Sequence, residues 1–515
     1  MSKWYVVGMT CLLAACASSG PGVKPGTDDA REPGHAHADA VAFLNRTTWG
    51  ADAWSVEQVN KFGSKRFLEQ QLRPAVNAPL PRPIQAQIDA MTINSTSLDK
   101  LVLDLEQRRR TADAIQDDDA KKAAQQVYQR ELGKLGNEAA TRSLLRALYS
   151  PNQLQEQMTW FWMNHFSIFQ YKSNLRAMVG DFEERAIRPH ALGRFSDLLA
   201  ATMRHPAMLR YLDNEQNAVG RINENYAREL MELHTLGIGG GYSQRDVQEL
   251  ARVLTGLGVN LTDKAPTVRK DLATQYVRDG LFEFNPNRHD YSDKEFLGQL
   301  VKGRGLAEVN EVIDRLCRSP ATARFLSHKL AVYFVADDPP PALVEKMSSA
   351  FLRSDGDIAI TLRVLFDSPE FQQSLETKFK DPVHYVVSAI RVAYTDKPIL
   401  NAAPMLNWLN RMGEPLYGRQ TPDGYPMTAA AWTGSGQMTT RFEIAKAIGS
   451  GSAGLFKTDG PDSIEQPAFP QLANRLYYQS IDPTLGEATR KALGEANSPQ
   501  EWNMFLLASP EFMHR

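Results

Sequence analysis

Apolar residues along this chain recur mostly at three- and four-residue spacing, the period of helices that bury one face, while strand-like alternation is scarce. The longest helical signal runs from Leu98 to Leu148. It is charged and alanine-rich, with Leu101, Leu105, Ala112, Ile115, Ala123 and Leu132 among scattered apolar positions, and predicts one long helix or a helical hairpin. Short strands are expected around Val259 to Leu261 and Leu281 to Phe284. Ser150-Pro151, Ser319-Pro320, Ser368-Pro369, Ser498-Pro499 and Ser509-Pro510 each match an N-cap followed by proline in the first turn. The expected class is mainly α, a multi-helix globular array with a few short strands and long irregular loops. Three stretches break the pattern: Gly237 to Gly241, Asn285 to Leu297, and a Pro/Gly-rich segment over 415–436 containing Thr421-Pro422-Asp423-Gly424-Tyr425-Pro426. Long irregular segments inside a compact domain are often functional.

One polar residue interrupts an apolar face. Advancing about 100° per residue puts Ile222, Tyr226, Leu230, Leu233 and Leu236 on one arc. Glu229 falls inside that arc, with Asn225 and Glu232 at its edge. A carboxylate removed from water costs several kcal/mol unless it is paired, hydrogen-bonded or protonated. Glu229 is therefore either a general acid or base, or the buried partner of an arginine such as Arg252. Glu224, Arg228 and Glu232 follow one another at four-residue spacing and can form an ion-pair ladder; Arg228 is also a candidate to hold an anionic group.

Other candidates are more scattered. Trp160 to Phe169 is apolar nearly all round a helical wheel, so Asn164 and His165 need partners inside the protein. His165 is either a satisfied core histidine or a proton carrier. His289-Asp290, with Lys294 four residues on, places a base, a carboxylate and a cation on one polar loop. Pro422-Asp423-Gly424 favours a tight reversal that would present Asp423 and Tyr425 to a ligand. The candidate catalytic set is thus Glu229, His165, His289, Asp290 and Glu232, and the candidate substrate-binding set Arg228, Asn225, Lys294, Asp423 and Tyr425. The chain has no Gly-x-Ser-x-Gly elbow, no Walker phosphate loop, no His-Glu-x-x-His helix and no EF-hand loop. No metal ligand set is expected, and no cofactor is named.

The N-terminus carries an address. Lys3, the apolar run Trp4 to Leu13 and the small residues Ala14-Ala15 have the build of a secretory signal, too short for a span of about 20 residues. Cys16 after Leu-Ala-Ala resembles the lipobox of bacterial lipoproteins, which implies lipidation of Cys16; Ala17 resembles sorting to an outer membrane. Cys11 would leave with the signal, so Cys317 remains alone and forms no intramolecular disulfide. Lys and Arg total 58 against 60 Asp and Glu, a net charge of −2 with no basic run, which argues against nucleic acid as a partner. Membrane attachment is expected through lipid alone. The organisation expected is a lipoprotein signal over 1–15, a flexible tether over 16–37, and helical regions over 38–150, 151–300 and 301–515.

Several motifs carry a resemblance. Asn164-His165-Phe166, Arg188-Pro189-His190-Ala191-Leu192-Gly193, Asn223 to Leu233, Tyr242 to Gly256, His289-Asp290, Ala321-Thr322-Ala323-Arg324 and Thr421 to Pro426 together resemble a bacterial family known as domain of unknown function 1800. The resemblance runs from about residue 38 to Ser509-Pro510-Glu511-Phe512. The chain departs from the pattern at its lipobox and a charged insertion near 107–140. It implies an exported bacterial protein, often accompanied by a secreted sulfatase-like protein of unknown function, and brings no established activity. Two functional readings follow. One is an envelope enzyme, a hydrolase or modifier of carbohydrates or esters, with the polar motifs converging on one cleft. The other is a lipid-tethered binding or assembly factor for a secreted partner.

Overall fold

A computed structural model of the chain describes residues 33–76, 78–394, 397–457 and 469–515. Cys16 and most of the expected tether lie outside the described residues, although the first helix, Pro33–Thr47, already covers the tether's last positions. Helices dominate, and the strands are few and short; the fold is mainly α.

The Leu98 to Leu148 signal forms a hairpin: one helix over Leu98–Asp113 and a second over Asp118–Tyr149. Asp117 caps the second helix by accepting from the Ala120 amide, and an extended Ser150 ends it. At 32 residues it is about 48 Å long and joins two hydrophobic cores. Leu132 and Leu135 enter a larger core built mostly from residues 40–371. Ala140, Leu144, Ala147 and Leu148 enter a second, built mostly from residues 383–513. Ser319, Ser368 and Ser498 cap helices as the Ser-Pro pairs predict. Ser150 instead closes the preceding helix, and Asn152 takes the N-cap position of the next, Gln153–His165.

Among the described residues five short strands lie where the helical period fails. β1 (Leu257–Val259), β2 (Val277–Asp279) and β3 (Phe282–Phe284) form an antiparallel sheet in the order β1-β3-β2, with Leu257 and Val277 both opposite Phe284. β4 (Lys294–Phe296) and β5 (Gln299–Val301) form a hairpin. Leu297 and Gly298 turn it with φ of 50° and 70°, the mirror-type turn whose twist suits a two-residue loop. The hairpin points Lys294 inward, where it is 1% exposed.

Candidate functional site

The segment expected as one helix over 222–236 is a short α-helix, Asn225–Glu229, running directly into a π-helix, Leu230–His234. A π-turn takes up an extra residue, so everything after it rotates by about 100° from the regular wheel. That rotation carries His234 inward, to 1% exposure, and leaves Leu233 partly exposed. Ile222 precedes the helix and is 40% exposed, so the apolar arc drawn around Glu229 is incomplete. Glu229 is consequently half-buried rather than enclosed. Its carboxyl group has no hydrogen bond or ion pair among the described residues. Arg252, the partner considered for it, is engaged by Glu249 and Asp290 at 2.7 and 2.8 Å. Burial, then the neighbouring Glu232 carboxylate, push the Glu229 carboxyl above its ordinary range; Arg228 opposes them and Asp423 adds to them.

The 415–426 loop brings Asp423 to this helix. The Gln153–His165 helix ends at His165, and a few residues on the chain meets the loop: the Gln170 amide donates to Tyr417 O at 3.0 Å and its side chain to Leu416 O at 3.0 Å. Asn164 clamps the loop tip, its Nδ2 donating to Tyr425 O at 2.9 Å and its Oδ1 accepting from the Tyr425 amide at 2.6 Å. Gly424 permits this contact. Its φ is +78°, and a Cβ there would stand 2.2 Å from Asn164 O. Asp423, exposed, accepts from Thr421 Oγ1 at 2.5 Å and pairs with Arg419 at 2.8 Å. Partial burial pushes its carboxyl up, but the Arg419 and Thr421 hydrogen bonds outweigh that and hold it below the usual range. Its charge reaches Glu229, Tyr211 and Lys329. Beneath the loop, Trp160, Asn164, Glu183, Glu414, Tyr417 and Tyr425 help to line a cavity of about 30 Å³, room for a water or two and not for a substrate.

His165 lies on the other side of Asp423. Its Nε2 faces His234 O at 3.1 Å and its Nδ1 faces Lys329 Nζ at 3.0 Å. A carbonyl only accepts and an ammonium only donates, so His165 is the Nε2–H tautomer with a lone pair on Nδ1. Burial, with the Lys329 charge and the neighbouring His234, holds it neutral, well below its ordinary range. Burial lowers the half-buried Lys329 to about 8, with Asp423 pulling the other way. His234 is held down to about 3 by burial and by Lys329, and among the described residues neither of its ring nitrogens has a partner.

The remaining candidates divide. Arg228 ties Glu224 and Glu232 into the expected ladder at 3.2 and 3.4 Å. Asn225 is exposed, with Nδ2 spent on Leu212 O at 3.1 Å, and Tyr425 donates its hydroxyl to Pro415 O at 2.8 Å. His289, Asp290 and Lys294 do not join the Glu229 group as expected. His289 Nε2 and Lys294 Nζ both meet Glu308, at 2.8 and 2.6 Å, all three side chains 0% exposed. His289 Nδ1 faces Thr255 O at 2.8 Å, and Asp290 pairs with Arg252, which overcomes burial and lowers its carboxyl to about 2. The β4–β5 hairpin folds these groups against the N-terminus of the Leu306–Cys317 helix, where Glu308 also accepts from the Arg304 and Gly305 amides at 2.7 and 3.0 Å. They form a closed structural knot. The Arg188 motif is likewise internal: Arg188 is buried between Glu156 and Glu183, and Trp162 Nε1 donates to Ala191 O at 2.9 Å.

Sequence reasoning missed Lys329, His234 and Tyr211. Lys329 had a readable signal, since Thr322, Leu326, Leu330 and Tyr333 place it on the apolar stripe of the Pro320–Phe334 helix, the same anomaly that singled out Glu229. His234 had none, because only the π-turn brings it inward. Among the described residues no group of three or more His, Cys, Asp or Glu is placed to hold a metal, and no helix is long and apolar enough to cross a membrane.

Neither a curated protein nor a solved structure matches this chain. A family model described as a protein of unknown function, DUF1800, matches residues 42–514, taking in the Asn164–Tyr425 clamp, the π-turn and the Glu308 knot. The chain belongs to the DUF1800 family.

Proposed function

We propose that this protein is an exported, lipid-anchored cell-envelope enzyme, a hydrolase or modifier of carbohydrate or ester substrates. Glu229 is its general acid and Asp423 the carboxylate kept ionised nearby. One observation carries the reading: two carboxyl groups close enough to feel each other's charge are driven in opposite directions, Glu229 up by burial and Glu232, Asp423 down by Arg419 and Thr421. Such a split assigns acid and base roles, and two carboxylates in unlike states are the working pair of most glycoside hydrolases. His165, held neutral with Nδ1 occupied by Lys329 Nζ, stands outside this carboxyl pair.

Release of reducing ends or free acid from envelope polysaccharides and acyl esters by the purified protein tests it. Glu229→Gln is expected to lower kcat/KM by about 10²–10⁴-fold, the usual worth of a general acid. Asp423→Asn is expected to remove the acid limb of the pH profile. Turnover unchanged by Glu229→Gln defeats the assignment. Anchoring is tested separately by palmitate labelling of cells, which Cys16→Ala should abolish, with release of the protein from the outer-membrane fraction.

A second reading, an assembly factor for a companion secreted protein, draws on the inward pairing of His289, Lys294 and Arg188, which leaves much of the motif set to structure. Capture of one stoichiometric secreted partner by both the parent and Glu229→Gln, with no turnover by either, favours it.

A further inference from the structure

Lys329 has no part in the acid–base reading, and its surroundings are unusual for a lysine. An ammonium drawn partly out of water is normally paired with a carboxylate, yet among the described residues the one polar contact of Nζ is a neutral imidazole nitrogen, His165 Nδ1 at 3.0 Å. That nitrogen is fixed as an acceptor by the bond from Nε2 to His234 O. It therefore accommodates an ammonium or a free amine equally. The charged and titratable groups facing Lys329 are His165 from the Gln153–His165 helix, His234 from the π-helix and Asp423 from the loop. The two histidines are neutral and Asp423 acts only from a distance. His234, 1% exposed, stands nearby with both ring nitrogens unpartnered among the described residues.

Lys329 is half-buried and adjoins a hollow through its neighbour Phe325. The Phe325 ring lies 5.6 Å from Lys329 Nζ. Phe325 and His328 line a surface hollow of about 640 Å³, walled on its other side by Gly237 to Gly241. That volume suits a small organic ligand.

We propose that Lys329 is a nucleophilic amine that captures an aldehyde or ketone from this hollow as an imine. The Nζ lone pair attacks the carbonyl carbon, the C=O π pair moves to oxygen, and a proton passes from nitrogen to oxygen to give a carbinolamine. The hydroxyl then takes one proton from solvent and leaves as water while the nitrogen lone pair closes the C=N bond. Amine, carbonyl compound and one proton become iminium and water, with no change of oxidation state. With Lys329 near 8, about a tenth of it is free base at pH 7, against less than a thousandth for an ordinary lysine near 10.4.

The test is reductive trapping on the full chain. The protein is exposed to acetaldehyde with sodium cyanoborohydride, which supplies the hydride that fixes any imine as an ethylamine, and the rate at each lysine is followed by peptide mass spectrometry. Lys329 is expected to react at least tenfold faster than the exposed Lys346 and Lys491 at pH 7, with a pH midpoint near 8. Lys329→Arg should lose that modification and no other. The proposal is overturned if Lys329 reacts no faster than Lys346 and Lys491. Glu229→Gln serves as the separating arm, since the fast modification should persist in it whether or not hydrolysis is lost.

Discussion

Glu229 and Glu308 show that burial alone does not set the state of a carboxyl group. Glu308 is 0% exposed yet is held below its ordinary range, because the donors from His289 and Lys294 outweigh its desolvation. Glu229 is less buried and is pushed up, because its partial burial, reinforced by the Glu232 and Asp423 charges, is met by no donor among the described residues. Linkage gives the two opposite signs. Glu229, raised in the fold, binds its proton more tightly there than in the unfolded chain, so its ionised form destabilises the fold above its folded pKa. Glu229→Gln is therefore expected to stabilise the protein at pH 7, by roughly 0.5 kcal/mol once partial exposure is discounted, and to lose that advantage near pH 4. Denaturant titrations at the two pH values check this; a destabilised Gln variant at pH 7 would place the carboxylate in an unseen favourable contact. Glu308, lowered in the fold, contributes stability that is complete above about pH 4.3 and disappears as pH falls through its folded pKa. Glu308→Gln strands Lys294 in the core and is expected to cost about 3–5 kcal/mol at neutral pH, with a shallower acid limb. A loss below 1 kcal/mol would mean that the knot is solvated.

Two elements turn these side chains into a group, and neither follows from a periodic wheel. Glu229 was found because a carboxylate in an apolar arc is conspicuous, and the class and the caps at Ser319, Ser368 and Ser498 were readable from local chemistry, with the hairpin as one of two alternatives. The π-turn over Leu230–His234 was not, since its extra residue is stabilised by tertiary packing rather than by a local signature. His289 and Lys294 were misplaced for a related reason. Their partner Glu308 lies 19 and 14 residues downstream, and a polar loop alone does not reveal that it folds inward. The docked loop yields a prediction at this scale. Gly424→Ala imposes a φ of +78° on an L-residue and drives its Cβ against Asn164 O, so the Asn164–Tyr425 clamp should open. Gly413→Ala imposes nearly the same φ, +82°, in open space and isolates the conformational cost of about 1–2 kcal/mol. Gly424→Ala should be clearly more destabilised and should lose hydrogen-exchange protection at the Tyr425 amide, which Gly413→Ala should retain. Equal losses in the two variants would show that the clamp contributes nothing.

At the scale of the whole molecule the two larger hydrophobic cores share the Asp118–Tyr149 helix. Its composition predicted a helix; its double duty was invisible, because the residues that receive Leu144 and Leu148, such as Val386, Ile390 and Leu409, lie more than 230 positions away. The cores are also tied at their junction. Trp49 packs in the second core and Ala51 in the first, and the Arg391 guanidinium reaches Gly50 O at 3.0 Å and Leu148 O at 2.5 Å. Asn164, Lys329 and Asp423 come from elements on both sides of this junction, so the candidate site is aligned only if the cores keep their relative position. A continuous helix cannot melt in one core without losing its packing at the boundary of the other, which predicts cooperative unfolding. Leu132→Ala and Leu144→Ala, one facing each core, should each cost about 2–5 kcal/mol and lower one common transition, followed alike by calorimetry and by tryptophan fluorescence. Two transitions, each moved by one substitution alone, would show that the cores unfold separately and that the site between Asp423 and Lys329 can open without unfolding either.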